Sequence, residues 1–322
     1  MLLPVHSEVI RLAKYILKRV AISLVTLFAI TFLLFLLMEF LPGSPFNDEK
    51  LNETQKALMA AKYGLDKPFF TRFFIYVKNL LHLDFGVSYV ITIDLPVRTM
   101  LATRLPVTIR IGLQAMVLGV LVGLVLGIVA ALKKNSPIDT TATVISVLGF
   151  SVPAYVFALL LVYIVAFRLK WLPIRYSAKQ PFVSSILPTI SLSMYIIATM
   201  ARYARSEMID CLNTDYILLA KAKGVTQPRV VRRHALRNTL VPIITVVAPL
   251  TIGIITGSVV IEQIFGVPGL GQLLLLGVTN NDYNVISAVA LVYSFLYIAI
   301  MLVVDILYGI IDPRIRVAGG EK

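Results

Sequence analysis

Six long apolar runs without a charged residue dominate the chain, covering residues 21–38, 111–132, 140–167, 181–201, 238–261 and 283–304. A helix needs about 20 mostly apolar residues to cross the hydrocarbon core of a bilayer. The pattern therefore predicts an all-α polytopic membrane protein with six transmembrane helices. Pro153 lies in the middle of the third run and predicts a kinked helix there.

The first run lacks the small-residue cleavage pattern of a signal peptide, so we predict an uncleaved first transmembrane helix over residues 21–41. The polar stretch that follows, residues 42–105, is predicted to be a structured external segment with short amphipathic helices. Asn52 and Gln55 resemble the capping box of one short helix. A second is predicted after Asp66, with apolar residues at three-to-four spacing: Phe69, Phe70, Phe73, Phe74, Val77, Leu80 and Leu81.

Two interpretations of this aromatic face remain open from the residues alone. It can pack on the membrane surface or on the transmembrane helices, or it can contact an external partner. A similar choice applies to Gly119, Gly123 and Gly127, which lie one turn apart on one face of the second run. A helix face formed by such small residues allows close packing of another helix, either within the chain or between subunits.

Composition and charge indicate the class of protein and the side of the membrane on which its basic segments lie. The chain has 30 Lys and Arg against 17 Asp and Glu, and its 58% hydrophobic content excludes an ordinary soluble nucleic-acid-binding protein. Basic residues concentrate in cytoplasmic segments of membrane proteins. We therefore place both termini in the cytoplasm, with tails 1–20 and 312–322, and predict a five-helix core over 106–311 that includes a cytoplasmic loop at 202–237.

The residues offer little support for an enzyme or a metal site. There is no phosphate-binding loop of the G-x-x-x-x-G-K-[ST] type, one cysteine, and three widely separated histidines. Ionisable groups at the margins of the apolar runs are Glu39, Arg110, Glu262 and Asp305. We interpret them mainly as interfacial or subunit-contact residues, with Glu39, Arg110 and Asp305 as candidates for a translocation path. A secondary transporter or a membrane enzyme would need paired carboxylates, inverted repeats or clustered catalytic groups, none of which is evident.

The segment between the fourth and fifth runs predicts a short helix over residues 215–223, capped by Thr214 or Asn213 and ended by Gly224. A second, basic helix is predicted to begin near residues 226–228 and to continue into the fifth run. Such a segment can lie on anionic lipid, or it can fit into the groove of a partner.

These residues resemble a known family. Asp215-Tyr216, the run Ala-Lys-Ala-Lys-Gly at 220–224 and Arg-His-Ala-Leu-Arg-Asn at 233–238 are similar to the EAA loop of ABC-importer permeases, in its peptide-transporter form. Leu218 and Leu219 depart from the general pattern, which has Glu-Ala there. Further stretches resemble the B-type peptide permeases in the same order along the chain, at 39–45, 63–68, 83–88, 261–271 and 312–316.

The resemblance implies a type I ABC-importer permease fold and a non-enzymatic permease subunit in the bacterial plasma membrane. It would form half of the path for oligopeptides or dipeptides, with nickel or another small solute as the alternative cargo. Its implied partners are a second related permease, two cytoplasmic ATPases that use ATP and Mg, an extracytoplasmic peptide-binding protein and membrane lipid, without a cofactor of its own and without nucleic acid.

The resemblance also assigns candidate site residues. Those predicted to couple the chain to the ATPases are Asp215, Tyr216, Ala220, Ala222, Lys223, Gly224, His234 and Arg237. We expect the small residues among them to let the two surfaces approach closely. Candidates for contact with the binding protein are Phe69, Phe73, Phe265, Pro268 and Gly269.

Overall fold

The computed structural model describes residues 5–40, 58, 61 and 66–311. The predicted capping box at Asn52 and Gln55 and the C-terminal tail 312–322 lie outside the described residues. The helices are α1 (Val5–Phe40), α2 (Phe69–Leu80), α3 (Val97–Leu132), α4 (Pro137–Ser151), α5 (Ala154–Leu161), α6 (Ile186–Leu212), α7 (Asp215–Ala222), α8 (Gln227–Val230), α9 (Leu236–Phe265), α10 (Leu270–Thr279) and α11 (Tyr283–Ile311).

The described helices confirm the all-α membrane prediction. Four of them are long and apolar enough to cross a bilayer, or up to six when each of two bent pairs is counted as one span. Several begin well before the apolar runs that predicted them, because polar residues outside the hydrocarbon core can remain helical. Thus α1 starts at Val5 and α3 at Val97, and each has 36 residues.

The third apolar run is broken, which corrects the prediction of a single kinked helix. Helix α4 ends at Ser151, Val152 is extended (φ −86°, ψ 120°), and α5 begins after Pro153. Helix α4 meets α5, with its π-helical continuation Val162–Arg168, at 107°. The residue before a proline is sterically disfavoured in the helical region. Here Val152 leaves that region altogether, and a break replaces a kink.

The chain divides into two compact units, of which the first contains residues up to Val107 and from Pro268 onward. In this unit α11 packs against α1 and α10. The aromatic face of α2 packs on α1 through edge contacts, with ring centroids 5.2 Å apart for Phe32–Phe73 and 5.4 Å for Phe35–Phe69. The intrachain interpretation of this face is therefore correct for Phe73 and, in part, for Phe69.

A buried aspartate holds the external segment of the first unit in place. Asp282 is fully buried in the turn between α10 and α11. Its Oδ2 accepts hydrogen bonds from the hydroxyl of Ser88 at 2.5 Å and from the backbone N–H groups of Val90 and Ile91 at 3.1 and 3.2 Å. Nearby, Asn284 donates to the carbonyl of Val87 at 2.8 Å. These bonds fix the 87–91 loop against the α10–α11 turn.

The second unit, Thr108–Val267, is arranged around α6, which packs against α4, α5 and α9. The three glycines of α3 lie directly on α6. A Cβ atom added to Gly119, Gly123 or Gly127 would meet the nearest atom of α6 at 2.6, 2.5 or 2.4 Å. The small face of α3 therefore serves packing within the chain.

Candidate functional site

The predicted coupling segment folds as a short helix held between two long ones. Helix α6 continues to Leu212, so residues 202–212 are helical and only the remainder forms the connection predicted at 202–237. Thr214 is the N-cap of α7, but its hydroxyl donates to the carbonyl of Cys211 at 2.6 Å and does not cap the helix. Gly224 has φ +77°, the left-handed conformation expected at the end of this helix.

The inner face of α7 is part of a hydrophobic cluster. Ile217 and Ala220 are buried, and the other buried members come from α3, α6, α8 and the π-helical turn Val231–Ala235 that leads into α9: Ala131, Met208, Cys211, Val230 and Ala235. Ala220 is therefore small because it packs inside the chain. This corrects the expectation that Ala220 lets a partner approach.

Tyr216 connects α7 to both long helices. Its hydroxyl lies 3.0 Å from the Sγ of Cys211 on α6 and accepts a hydrogen bond of 2.8 Å from the side-chain amide of Asn238 on α9. The residue remains 42% exposed. Tyr216 thus fixes the position of α7 while offering a surface outward. Cys211 and Asn238 were not among the predicted site residues, because no local pattern pairs them with Tyr216.

The outer face of α7 presents two leucines, at the positions where the general family pattern has Glu-Ala. Leu218 and Leu219 are 53% and 56% exposed, and nothing in the described structure covers them. Of the remaining predicted coupling residues, Asp215, Ala222, Lys223, Gly224 and Arg237 are exposed and His234 is half-buried. The basic residues that follow the two leucines in the chain are also exposed: Lys221, Lys223, Arg229, Arg232, Arg233 and Arg237.

The candidates for a translocation path are bound within the chain. Glu39 forms an ion pair of 2.5 Å with Arg72, which joins α1 to α2. Asp305 forms one of 3.0 Å with Arg19, which joins α11 to α1. Arg110 donates to the hydroxyl of Tyr176 at 2.5 Å. These contacts favour structural roles for Glu39, Arg110 and Asp305. Sequence reasoning could not identify their partners, which lie far away in the chain.

Most candidates for contact with a binding protein are covered. Phe73, Phe265 and Gly269 are buried, so their side chains or backbone cannot form an external contact surface. Phe69 and Pro268 are half-buried. On α2 the exposed aromatic residues are instead Phe70 and Phe74, at 66% and 65%. The amphipathic helix was thus predicted correctly, but its buried and exposed aromatics were not separated.

Within residues 5–40, 58, 61 and 66–311, no group of three or more His, Cys, Asp or Glu side chains could hold a metal ion. Helix α7 offers an exposed apolar pair, Leu218 and Leu219, on a helix that Tyr216 fixes to α6 and α9. Such a surface can transmit a displacement from a bound partner, since packed helices move as rigid elements.

The architecture and this short helix define a class of protein, the membrane components of binding-protein-dependent transport. The family model described as "Binding-protein-dependent transport system inner membrane component" matches residues 123–317, more than half of the chain. The chain belongs to this family. The assignment confirms the prediction of a multi-pass transport permease. It does not support the rival interpretations as a secondary transporter or a membrane enzyme.

Several curated relatives match almost over their whole length. The dipeptide transport system permease protein DppB of Lactococcus lactis subsp. cremoris (strain MG1363) is 43% identical over 305 residues, 95% of this chain and 100% of the relative. The oligopeptide transport system permease protein OppB of Haemophilus influenzae (strain ATCC 51907 / DSM 11121 / KW20 / Rd) is 40% identical over 304 residues, 94% of this chain and 99% of the relative. These names agree with the resemblance to peptide permeases.

Two solved structures share the fold. One is a crystal structure of an amino acid ABC transporter with histidines, with TM-score 0.53 and 17% identity, covering 65% of this chain and 93% of the other. The second is the MetNI methionine ABC transporter in an inward-facing conformation, with TM-score 0.51 and 18% identity, covering 67% of this chain and 94% of the other. At these identities the likeness concerns the fold alone, and it confirms the type I ABC-importer permease architecture.

Proposed function

We propose that this chain is the permease subunit of an ATP-driven importer of dipeptides or oligopeptides. Peptide cargo is supported by the relatives named as dipeptide and oligopeptide permeases, which cover nearly the whole chain. In this proposal a second related permease completes the path, two cytoplasmic ATPases supply the energy from ATP and Mg, and an extracytoplasmic binding protein delivers the peptide.

The observation that carries the proposal is the outward pair Leu218 and Leu219 on α7. Apolar side chains that are more than half exposed, on a helix fixed at its inner face, are typical of a contact surface. In a groove of an ATPase the two leucines would be buried, and the basic residues around them would form the polar rim. We place this face, and both chain termini, in the cytoplasm, because the basic residues of segment 202–237 follow the positive-inside rule.

Our candidates for contact with the extracytoplasmic binding protein are the exposed aromatics Phe70 and Phe74 of α2 and the half-buried Pro268. They replace Phe73, Phe265 and Gly269, which are buried. The exposed α2 face could also rest on lipid headgroups. Replacing Phe70 and Phe74 by Ser and measuring binding-protein association separates the two, since unchanged association would assign the face to lipid.

The docking role of α7 is tested by changing both leucines in the complete transporter, purified through a tag on this chain. Leu218→Asp with Leu219→Asp places charges in the proposed contact, so the ATPases are expected to be lost during purification. Leu218→Met with Leu219→Met is the matched control, since it preserves apolar area, and should retain them. Full retention of the ATPases by the Asp variant would contradict the docking role.

Cargo is tested separately in proteoliposomes that contain the complete transporter and its binding protein. We expect ATP-dependent uptake of labelled short peptides, measured against Ni²⁺ under the same conditions. Uptake of nickel without peptide would overturn the peptide assignment and favour the alternative small-solute cargo. The docking of the ATPases would be unaffected by this result.

A further inference from the structure

The second unit contains an open cavity of about 300 Å³ between α4, α6 and the end of α3. Its volume is at the small end of the range for small-molecule sites, roughly 300–1,000 Å³. The floor consists of buried small side chains, so the cavity exists because no larger side chain fills it: Ala130, Ala142, Ser146, Ala198 and Ala201. We call it the arginine cavity, after the two arginines in its wall.

The two arginines differ in their charge balance. Arg202 and Arg205 lie three residues apart on α6 and both line the cavity. Arg205 is neutralised by buried Asp139, with Nε and Nη2 donating to the two carboxylate oxygens at 2.6 and 2.9 Å. Within residues 5–40 and 66–311, no carboxylate forms an ion pair with Arg202. An uncompensated positive charge therefore faces the cavity.

Aromatic rings hold the Arg202 side chain at the edge of the cavity. Its Cζ lies 5.3 Å from the ring centroid of Phe150 and 6.0 Å from that of Tyr203. Cation–π contacts of this kind position a guanidinium and leave its N–H groups able to donate to an oxyanion. Phe150 itself lines the cavity, so ring, guanidinium and cavity form one arrangement.

We propose that the arginine cavity binds the C-terminal carboxylate of a peptide during its passage, with Arg202 as the binding group. This inference rests on the proposed peptide cargo. A guanidinium binds a carboxylate through charge-assisted hydrogen bonds. The wall also carries hydroxyl groups, which suit the amide groups of a peptide better than the acyl chain of a lipid: Thr143, Ser151 and Ser206.

The cavity also adjoins the segment that leads to α7. Arg205 and Ser206 line it, and the following turns of α6 contribute Met208 and Cys211 to the cluster under α7. A displacement of α7 would therefore move the part of α6 that carries the binding group. The carboxylate subsite is thus placed where ATPase-driven movement can release the peptide.

The experiment compares trialanine with trialanine amide in proteoliposomes that contain the complete transporter and its binding protein. Arg202→Gln is expected to lower trialanine uptake about tenfold, as loss of a charge-assisted hydrogen bond implies, and to change amide uptake less than twofold. Arg202→Lys, which keeps the charge, should give an intermediate loss. The binding protein is the same throughout, so its own preference cancels when each variant is divided by wild type.

Arg168→Gln is the matched control. Arg168 is also exposed and lies over an aromatic ring, 5.8 Å from the centroid of Tyr163, but it does not line the cavity. It should leave both uptakes unchanged. Equal losses of trialanine and its amide in Arg202→Gln, or no loss of either, would overturn the carboxylate subsite.

Two further outcomes are distinguishable. If the Arg202→Gln loss occurs in phosphatidylglycerol vesicles and disappears in phosphatidylcholine vesicles, the occupant is an anionic lipid headgroup and the proposal fails; an equal loss in both supports it. If wild type takes up no trialanine, the proposed peptide cargo fails and the subsite with it. If wild type takes up trialanine, but Arg202→Gln has the same ratio of trialanine uptake to trialanine amide uptake as wild type, only the carboxylate subsite is overturned.

Discussion

The side-chain amide of Asn238 donates a 2.8 Å hydrogen bond to the hydroxyl of Tyr216, although 22 residues separate them. This bond joins the start of α9 to the first turn of α7. The same hydroxyl lies 3.0 Å from the Sγ of Cys211 at the end of α6. One phenol group therefore connects the short helix to both long helices that it is proposed to move.

Tyr216→Phe removes these contacts and preserves the ring. The hydrogen bond from Asn238 contributes about 1 kcal/mol, which corresponds to a factor of about five in an equilibrium, and the sulfur of Cys211 is a much weaker partner. We expect the ratio of peptide transported to ATP hydrolysed to fall by about fivefold, with the ATPases still bound. Asn238→Ala is the partner variant in a double-mutant cycle. Strictly additive effects of the two changes would contradict a direct coupling between the residues.

Gly127→Ala tests the close packing of α3 on α6. The added Cβ would lie 2.4 Å from the backbone carbonyl of Ala201, which cannot move aside as a side chain can. Overpacking of this kind costs about 1–3 kcal/mol, so the thermal unfolding midpoint in detergent should fall. Gly224→Ala is the contrast, because nothing lies within 4 Å of its Cβ position and only its left-handed backbone is strained. A larger loss of stability at Gly224 would contradict this ranking.

Asp282 is expected to control the order of the 87–91 loop. In Asp282→Ala, the hydroxyl of Ser88 and two backbone N–H groups lose their acceptor, at about 1–3 kcal/mol for each buried group that stays unsatisfied. Asp282→Asn preserves an acceptor oxygen without the charge and should cost less. Hydrogen exchange at the amides of Val90 and Ile91 should therefore be slow in wild type, faster in Asn and fastest in Ala. Equal exchange in all three would exclude this role.

Replacing Asp305 tests whether its carboxylate has a structural role or binds cargo. Its partner Arg19 has a side chain that is 41% exposed, so the ion pair contributes about 0.2–1 kcal/mol. Asp305→Asn should leave peptide uptake within about twofold of wild type. The exchanged pair Arg19→Asp with Asp305→Arg should restore any loss. A large loss that the exchange does not restore would return Asp305 to the translocation path.

Much of the fold follows from local pattern, and the exceptions have physical causes. Most of each apolar run is helical, apart from the break at Val152 and Pro153 and the start of the fourth run before α6, because a charge-free run in a bilayer has few alternatives to a helix. The break at Pro153 was not predictable in this form, since proline permits both a kink and a break.

The coupling segment around α7 also has features that follow from local pattern and others that do not. The helix after Thr214 and the turn at Gly224 follow from short-range residue preferences. The inward-facing side of α7 could not be predicted in this way, because Ala220 is buried in a cluster to which four other segments contribute. The ion pairs of Glu39 and Asp305 could not be predicted from the sequence either, since only folding brings Arg72 and Arg19 close to them.

The glycine face of α3 has a mechanical consequence. A Cβ atom added to Gly119, Gly123 or Gly127 would meet main-chain atoms of α6, those of Ser193, Ile197 and Ala201 among them. Because the glycines have no side chain, the two helices lie close together there and few rotamers at the interface can change. We therefore expect α3 and α6 to move as one rigid pair when α6 is displaced at its C-terminal end.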